Sequence, residues 1–336
     1  MIPVVQAEPL LDADPGVASL HDPALFVAAR ATGFVCLRGL PADVALTPER
    51  RALLLAVFAL EEAEKRRLYR RKFAPQNRNV YRGWFPLQPG NLTHKEGIDI
   101  GGDIAYGARV VMPGDPLREE SALPEDQRLP GWREAITAYY LAMERVAQAL
   151  MRSLARSLGL PQEYFAESFR HGLSTLRLIH YPPREAQELA GMSDPTVWVA
   201  PGETPRHLIG AAHTDSGFVT LLAQDAVGGL QARARDGDWI DVPPSEDTLV
   251  VNFGQVLEQW SAGRIRATEH RVLGCGVERY SIPFFYEARA DALIAPLPID
   301  APGCFAPFRY GEFLWKRITS FVEFRGMENQ RVPMEP

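Results

Sequence analysis

Residues 210–225 read GAAHTDSGFVTLLAQD, and a polar pair inside this run decides how the chain folds. Val219, Leu221, Leu222 and the small residues around them ask for a buried β-strand. His213 and Asp215 ask for water or a partner. Residues i and i+2 of a strand point to the same face, so the run predicts that His213 and Asp215 project together. Two side chains on one face can take adjacent corners of a metal's coordination sphere. A third ligand must arrive from another segment.

The surroundings support a β-rich core. After residue 174 short strands follow at regular spacing: TLRLIHY (175–181), FVTLLAQ (218–224), GLQAR (229–233), DWIDV (238–242), TLVVNF (248–253), IRATEHRV (265–272) and RYSIPFFYEA (279–288). Gly, Pro, Asp and Asn separate them. That rhythm predicts an antiparallel sandwich or barrel. Helices are expected before it. One follows Asp22 as N-cap with Pro23 in its first turn, and leads into the strand GFVCLRG (33–39). A second is expected over 46–69, with Thr47 as cap, Pro48 at the first helical position and Glu49 at the positive helix end. The longest pattern spans 131–161. There Ile136, Tyr140, Met143, Ala147, Leu150, Leu154 and Leu158 recur at threes and fours, and Gly159 and Pro161 stop it. Residues 74–130 lack periodicity and read as a long irregular excursion. A last helix is expected over 310–324. The whole is an α+β chain with a mainly β core, read as one domain. It comprises a helical and mixed region (1–173), the core (174–290) and a C-terminal tail with a helix (291–336).

Composition bounds the partners. The chain has 336 residues, 46% hydrophobic and 23% charged, which suits a globular protein with a sizeable core. A net charge of −6 with no basic block argues against nucleic acid. Cys36, Cys275 and Cys304 are scattered and form neither a disulfide framework nor a CxxC site. No apolar run approaches the roughly 18 residues of a membrane span. The first residues lack the basic-then-apolar order of a secretory signal. These features predict a cytoplasmic protein with no membrane contact and no evident obligate protein partner.

His270, on a later strand of the same region, can supply the third ligand. Two histidines and a carboxylate with open positions define the facial triad of non-haem Fe(II) oxygenases. The same set could hold zinc in a hydrolase. Arg279 and Ser281 in ERYSIPFF (278–285) bear on that choice. They share a strand face, opposite Tyr280 and Ile282. An arginine pointing into a barrel is expensive unless it meets a carboxylate. Its planar fork holds a carboxylate at two points, and a serine hydroxyl can add a third. No acidic residue lies at strand spacing beside Arg279, so the carboxylate can belong to a ligand. 2-Oxoglutarate would serve, with its keto acid end on iron and its far carboxylate on the arginine.

The order His213-x-Asp215, His270, Arg279-x-Ser281 resembles the isopenicillin N synthase-like family of Fe(II)/2-oxoglutarate oxygenases. TLRLIHYPP, GGLQAR, LVVNFGQVLEQWSAGRIRATEHRV and ERYSIPFFYEA resemble successive blocks of that family in order and spacing, and GFVCLRG with the helix after it resembles its N-terminal region. The resemblance implies a distorted double-stranded β-helix, or jelly roll, with iron at its open end. It implies Fe(II), 2-oxoglutarate and O₂ as requirements, with decarboxylation to succinate and CO₂. The expected reaction is oxidation of a C–H bond of a small organic molecule, by hydroxylation, desaturation or cyclisation. Tyr181 matches a family tyrosine that helps hold the 2-oxoglutarate carboxylate. Ile179 stands where many plant members carry asparagine, and Gln255 follows Gly254 where they carry aspartate. An oxidase that uses no 2-oxoglutarate is an alternative, with Arg279 and Ser281 on the substrate's own carboxylate. A zinc hydrolase and a non-catalytic ligand-binding barrel are rivals from other classes. Arg279-x-Ser281 argues against the first and the intact triad against the second.

Substrate-lining residues are also expected. Arg177 alternates with Ile179 and Tyr181, so it can face the cavity and bind a polar or acidic substrate, or form a salt bridge at the rim. Phe285 shares the face of Arg279 and Ser281. Tyr81 and Trp84, in NRNVYRGWFPLQPGNLTHKEGIDIGGD (77–103), could reach substrate over the cavity mouth. Lys95, Glu96 and Asp99 are expected to serve the scaffold, and His94 and His207 to be surface or loop residues.

Overall fold

A computed structural model describes residues 1–12, 14–88, 90–192, 198–199, 206–301, 303–321 and 324–331. Among the described residues thirteen strands build the two main sheets. They are β1 (Val4–Gln6), β2 (Phe34–Arg38), β3 (Gly83–Phe85), β4 (Glu96–Ile100), β5 (Thr175–Tyr181), β6 (Trp198–Val199), β7 (Arg206–His213), β8 (Val219–Gln224), β9 (Leu230–Arg233), β10 (Trp239–Asp241), β11 (Leu249–Phe253), β12 (His270–Leu273) and β13 (Arg279–Tyr286). The large sheet has the order β1-β2-β11-β8-β13-β5-β4-β3, and the small one β10-β9-β12-β7-β6. Apart from the parallel pair β1–β2, every pairing in the two is antiparallel. This is the expected jelly-roll core with helices outside it.

Period-2 alternation sorts the side chains of the large sheet. On β5, Leu176 and Leu178 enter the core under the helices, while Ile179 and Tyr181 join the cluster between the sheets. On β11, Val251 and Phe253 go to the helix side and Val250 to the interior. Ile209, Leu230, Ala232 and Val272 of the small sheet complete that interior. The long helix, Trp132–Ser157, covers the outer face of the large sheet. It buries Ile136, Tyr140, Met143, Ala147, Leu150 and Leu154, as its spacing predicts. Tyr140 meets Phe284 of β13 edge to face at 5.0 Å. Each such fully buried large apolar side chain contributes roughly 1.5–3 kcal/mol. Gly159, at φ +78°, ends the pattern. Among the described residues no helix is long and apolar enough to cross a membrane.

Several expectations need correction. The helix expected over 46–69 is broken into Pro48–Leu55, a 3₁₀ turn at Ala56–Ala59, and Glu62–Arg67. Thr47 caps the first piece by accepting from the Arg50 amide at 3.3 Å. Asp22 does not cap its helix. It is the helix's first residue, and its carboxylate takes both prongs of Arg156 at 2.7 and 2.8 Å. The C-terminal helix stops at Ile318. The 74–130 excursion is partly regular, because β3 and β4 extend the large sheet beyond β5. β1 to β4 also show that the sheet recruits strands from outside 174–290.

Candidate metal and co-substrate site

The ligand atoms of His213, Asp215 and His270 converge within 4.8 Å of one another. His213 is the last residue of β7 and His270 the first of β12, and the two are cross-strand partners. Their rings lie 4.3 Å apart, and Phe34 meets His270 edge-on at 5.6 Å. Asp215 arrives differently from the expectation. The strand ends at His213, and Asp215 lies in the turn before β8, so strand alternation is not what aims it.

The turn is held in place from behind. Gln255 donates its backbone N–H to the Asp215 carbonyl at 2.8 Å, and Val256 donates to the Ser216 and Gly217 carbonyls at 3.2 Å. These are the free amides at the start of the Gln255–Trp260 helix. Phe218 anchors the other end of the turn among Phe169, Trp260 and Tyr310, with ring centroids at 4.8, 5.5 and 4.9 Å.

Hydrogen bonds decide which atoms remain available. His213 Nδ1 lies 2.8 Å from the Ala211 carbonyl, and His270 Nδ1 lies 3.1 Å from the Thr268 carbonyl. A carbonyl only accepts, so each neutral ring carries its proton on Nδ1 and leaves the Nε2 lone pair free. Asp215 Oδ2 accepts from Thr220 Oγ1 at 2.5 Å and Asn252 Nδ2 at 2.7 Å. Oδ1 faces His213 Nε2 at 3.7 Å and His270 Nε2 at 3.9 Å. Two imidazole nitrogens and one carboxylate oxygen thus meet with their opposite atoms occupied. This donor set suits Fe(II) or Zn(II).

The electrostatics agree. The His213 side chain is 41% exposed. Burial by the surrounding protein, and then the neighbouring His270, bring its pKa down to about 4. It is therefore neutral, as a ligand must be, at pH 7. Burial opposes ionisation of Asp215, but the two histidines and the bonds from Thr220 and Asn252 hold its pKa below the usual value.

At the far end of the same interior lies Arg279, 2% exposed. Its Nε donates to the Gly228 carbonyl at 2.8 Å, its Nη2 reaches Gln224 Oε1 at 3.5 Å, and its guanidinium covers the Tyr181 ring at 4.9 Å. Nη1 is buried without a partner, and among the described residues no carboxylate forms an ion pair with Arg279. Ser281 is buried beside Gln224 in register, and Tyr181 is in register with Arg279. Ile179, in the apolar interior cluster, offers no polar contact there.

Arg177 forms a salt bridge, the second of its two expected roles. Its side chain is 18% exposed and covers Phe285 and Phe85, each at 5.3 Å. It also donates to both oxygens of Asp99, at 2.5 and 2.8 Å. Asp99 is fully buried and shared with Arg70. Glu96 pairs with His180 at 2.9 Å, in keeping with scaffold duty. Tyr81 and Trp84 are corrected. Both are buried in the core under the helices, and Trp84 is 0% exposed. Phe85, next in the chain, is the residue of this stretch that packs on Arg177. His207 is also corrected, because it lies on β7 and is buried; His94 lies in a loop as expected but is buried as well, and burial lowers the pKa of each. Asn252, Thr220, Gln224 and Gly228 were not singled out by sequence. Their signal was a polar side chain inside an apolar strand for the first three, and a GG turn for the last. A groove of about 810 Å³ lies elsewhere. Glu64, Arg78, Glu120 and Arg128 are among its walls, and they pair with one another at 2.8 Å.

Comparison with known proteins places this chain in a family. A model described as the 2OG-Fe(II) oxygenase superfamily matches residues 173–288. Isopenicillin N synthase of Streptomyces clavuligerus is 30% identical over 240 residues, which is 71% of this chain and 70% of that protein. The 2-oxoglutarate-dependent dioxygenase citB of Monascus ruber is 32% identical over 282 residues, covering 80% of this chain and 79% of that protein. A full-length Neurospora crassa protein crystallised with alpha-KG and 5-formyluracil has a TM-score of 0.75 at 25% identity, over 95% of this chain and 96% of that one. The chain belongs to the 2OG-Fe(II) oxygenases, in their isopenicillin N synthase-like family, and is a dioxygenase that requires Fe(II), 2-oxoglutarate and O₂.

Proposed function

We propose that His213 Nε2, Asp215 Oδ1 and His270 Nε2 hold the iron, and that Arg279, Ser281 and Tyr181 hold the far carboxylate of 2-oxoglutarate. The observation that carries the first half is the convergence of three ligand atoms within 4.8 Å. The second half is supported by the buried, unpartnered Nη1 of Arg279. Thr220 and Gln224 are four residues apart on β8, roughly 13 Å along the strand. A five-carbon dicarboxylate and an arginine side chain can bridge that gap. When bound, Fe(II) activates O₂ as 2-oxoglutarate is converted to succinate and CO₂, and supplies the oxidant for a C–H bond.

The chain's own residues bind and orient. Thr220 and Asn252 fix the Asp215 carboxylate, and the Ala211 and Thr268 carbonyls fix the ring tautomers. We place the substrate over Phe285, which is in register with Thr220, with Arg177 at its side as a hydrogen-bond donor for a polar or acidic group. Hydroxylation of a small organic molecule is the reaction we assign. We place the enzyme in the cytoplasm, acting without nucleic acid, membrane or an obligate protein partner. Its net charge of −6 and its free cysteines support that placement. The test is metal stoichiometry. The wild-type protein should bind one Fe(II), and His213→Ala, Asp215→Ala and His270→Ala should each lose it while remaining folded. One tightly bound iron in His270→Ala would refute the ligand assignment.

A further inference from the structure

The back of the metal turn carries a contact that the chemistry above does not use. Gly217 lacks a side chain, and the carboxyl of Glu287 fills that place: a Cβ at Gly217 would overlap both carboxyl oxygens. Glu287 directly follows β13. Its N–H donates to Ser174 Oγ at 3.1 Å, and its carbonyl lies hard against Gly172. Its side chain is buried and accepts the Tyr310 O–H at Oε2. Tyr310 opens the C-terminal helix and is 0% exposed. Its N–H is fixed on the Ala292 carbonyl at 2.9 Å. Tyr310 thus reaches the metal turn twice, by its ring on Phe218 and by its hydroxyl through Glu287 on Gly217. On another side a Cβ at Gly254 would overlap the Gly217 carbonyl. Gly217 is gripped, and Asp215 lies two residues before it.

A carboxyl in a core of aromatics is costly to bury, and an apolar side chain of equal size would fill the space at lower cost. Packing alone does not account for it. Burial raises its pKa to about 8, against the Tyr310 bond, so at neutral pH it adds no charge behind Asp215. What it adds is directed bonding.

We propose that Glu287 and Tyr310 are positioning residues for the iron site, forming a post that fixes the Gly217 backbone and so the direction in which Asp215 presents Oδ1. The inference rests on the assignment of His213, Asp215 and His270 as iron ligands.

Tyr310→Phe removes the hydroxyl and keeps the ring on Phe218. Tyr106→Phe is the control, because it breaks another tyrosine–carboxyl bond, Tyr106 to Glu144 on the long helix. Both variants should lose thermal stability to a similar degree. Only Tyr310→Phe should weaken Fe(II) affinity, measured anaerobically by competition with a chromogenic chelator, by about tenfold, the low end for outer-shell changes. Glu287→Gln keeps an acceptor for Tyr310 and should retain wild-type affinity. Should Tyr310→Phe not fold, Glu287→Met fills the space without the bond and carries the same comparison. Wild-type affinity in Tyr310→Phe overturns the proposal, and so does an equal loss in Tyr106→Phe. His213→Ala is measured in parallel. If it still binds Fe(II), the ligand assignment itself has failed, whatever Tyr310→Phe does.

Discussion

Asp215 has one oxygen to offer a metal because Thr220 and Asn252 occupy the other. Asn252→Ala should leave the carboxylate free to rotate. We expect Fe(II) affinity to fall roughly 10- to 100-fold with the circular dichroism unchanged. An unchanged chelator titration would show that Asn252 does not orient the ligand. Arg177 makes a second test at this scale. Arg177→Met keeps an unbranched chain over Phe285 and removes the donor, while Asp99 keeps Arg70. The substrate KM should rise while the 2-oxoglutarate dissociation constant stays fixed. Equal change in both would return Arg177 to scaffold duty. His213 and Asp215 were legible as polar side chains in an otherwise apolar run, His270 by its place on a later strand of the same region, and Arg279 by sharing a strand face with Ser281. Trp84 and Phe85 could not be told apart in the same way. Which one faces the interior depends on the register of β3 against β4, and a three-residue strand shows no alternation of its own.

At the scale of elements, the metal turn is a junction. The amides of the Gln255–Trp260 helix hold its carbonyls, Phe218 holds its end and Glu287 its back. Gly254→Ala should push a methyl into the Gly217 carbonyl, which is backbone and cannot rotate away. A cost of about 1–3 kcal/mol is expected from overpacking, read as a lower Tm, together with loss of iron. Gly191→Ala, with nothing within 4 Å of its Cβ, is the matched control. Indistinguishable melts for the two would contradict the packing described. Glu287 makes a pH prediction. Its pKa rises from the ordinary 4.5 to about 8 on folding, so between these values the folded state holds a proton that the unfolded state has lost. Stability should then fall as pH rises through this window. Glu287→Gln should flatten that slope, and equal slopes in Tm against pH would contradict a neutral buried acid. None of this junction was visible in the chain. Alternation reads one strand at a time, and Asp215 comes from a turn whose aim is set by a helix 40 residues later.

Over the whole molecule, the strand rhythm after residue 174 sufficed to predict the β core, and the spacing of Ile136 to Leu154 sufficed for the long helix. What stayed hidden was recruitment. β2 matches the expected strand GFVCLRG, but β1, β3 and β4 join the large sheet from regions that read as mixed or irregular, because three- to five-residue strands carry too little pattern to stand out. Their joining makes the interior continuous. The row Phe34, Asn252, Thr220 and Phe285 runs in register across four strands beside His213, Asp215 and His270, and Arg279, Ser281 and Tyr181 close the far end. The central claim is that one dicarboxylate spans these two ends. The most direct measurement is an anaerobic titration of the Fe(II) protein with 2-oxoglutarate, following the weak visible band of a keto acid chelated to iron. The account predicts a saturable band in the wild type. It predicts that Arg279→Leu needs about a hundredfold more 2-oxoglutarate, about 3 kcal/mol, for the loss of one partner of a charge-assisted pair. A wild-type protein without the band, or an Arg279→Leu protein that saturates at the same concentration, would contradict it.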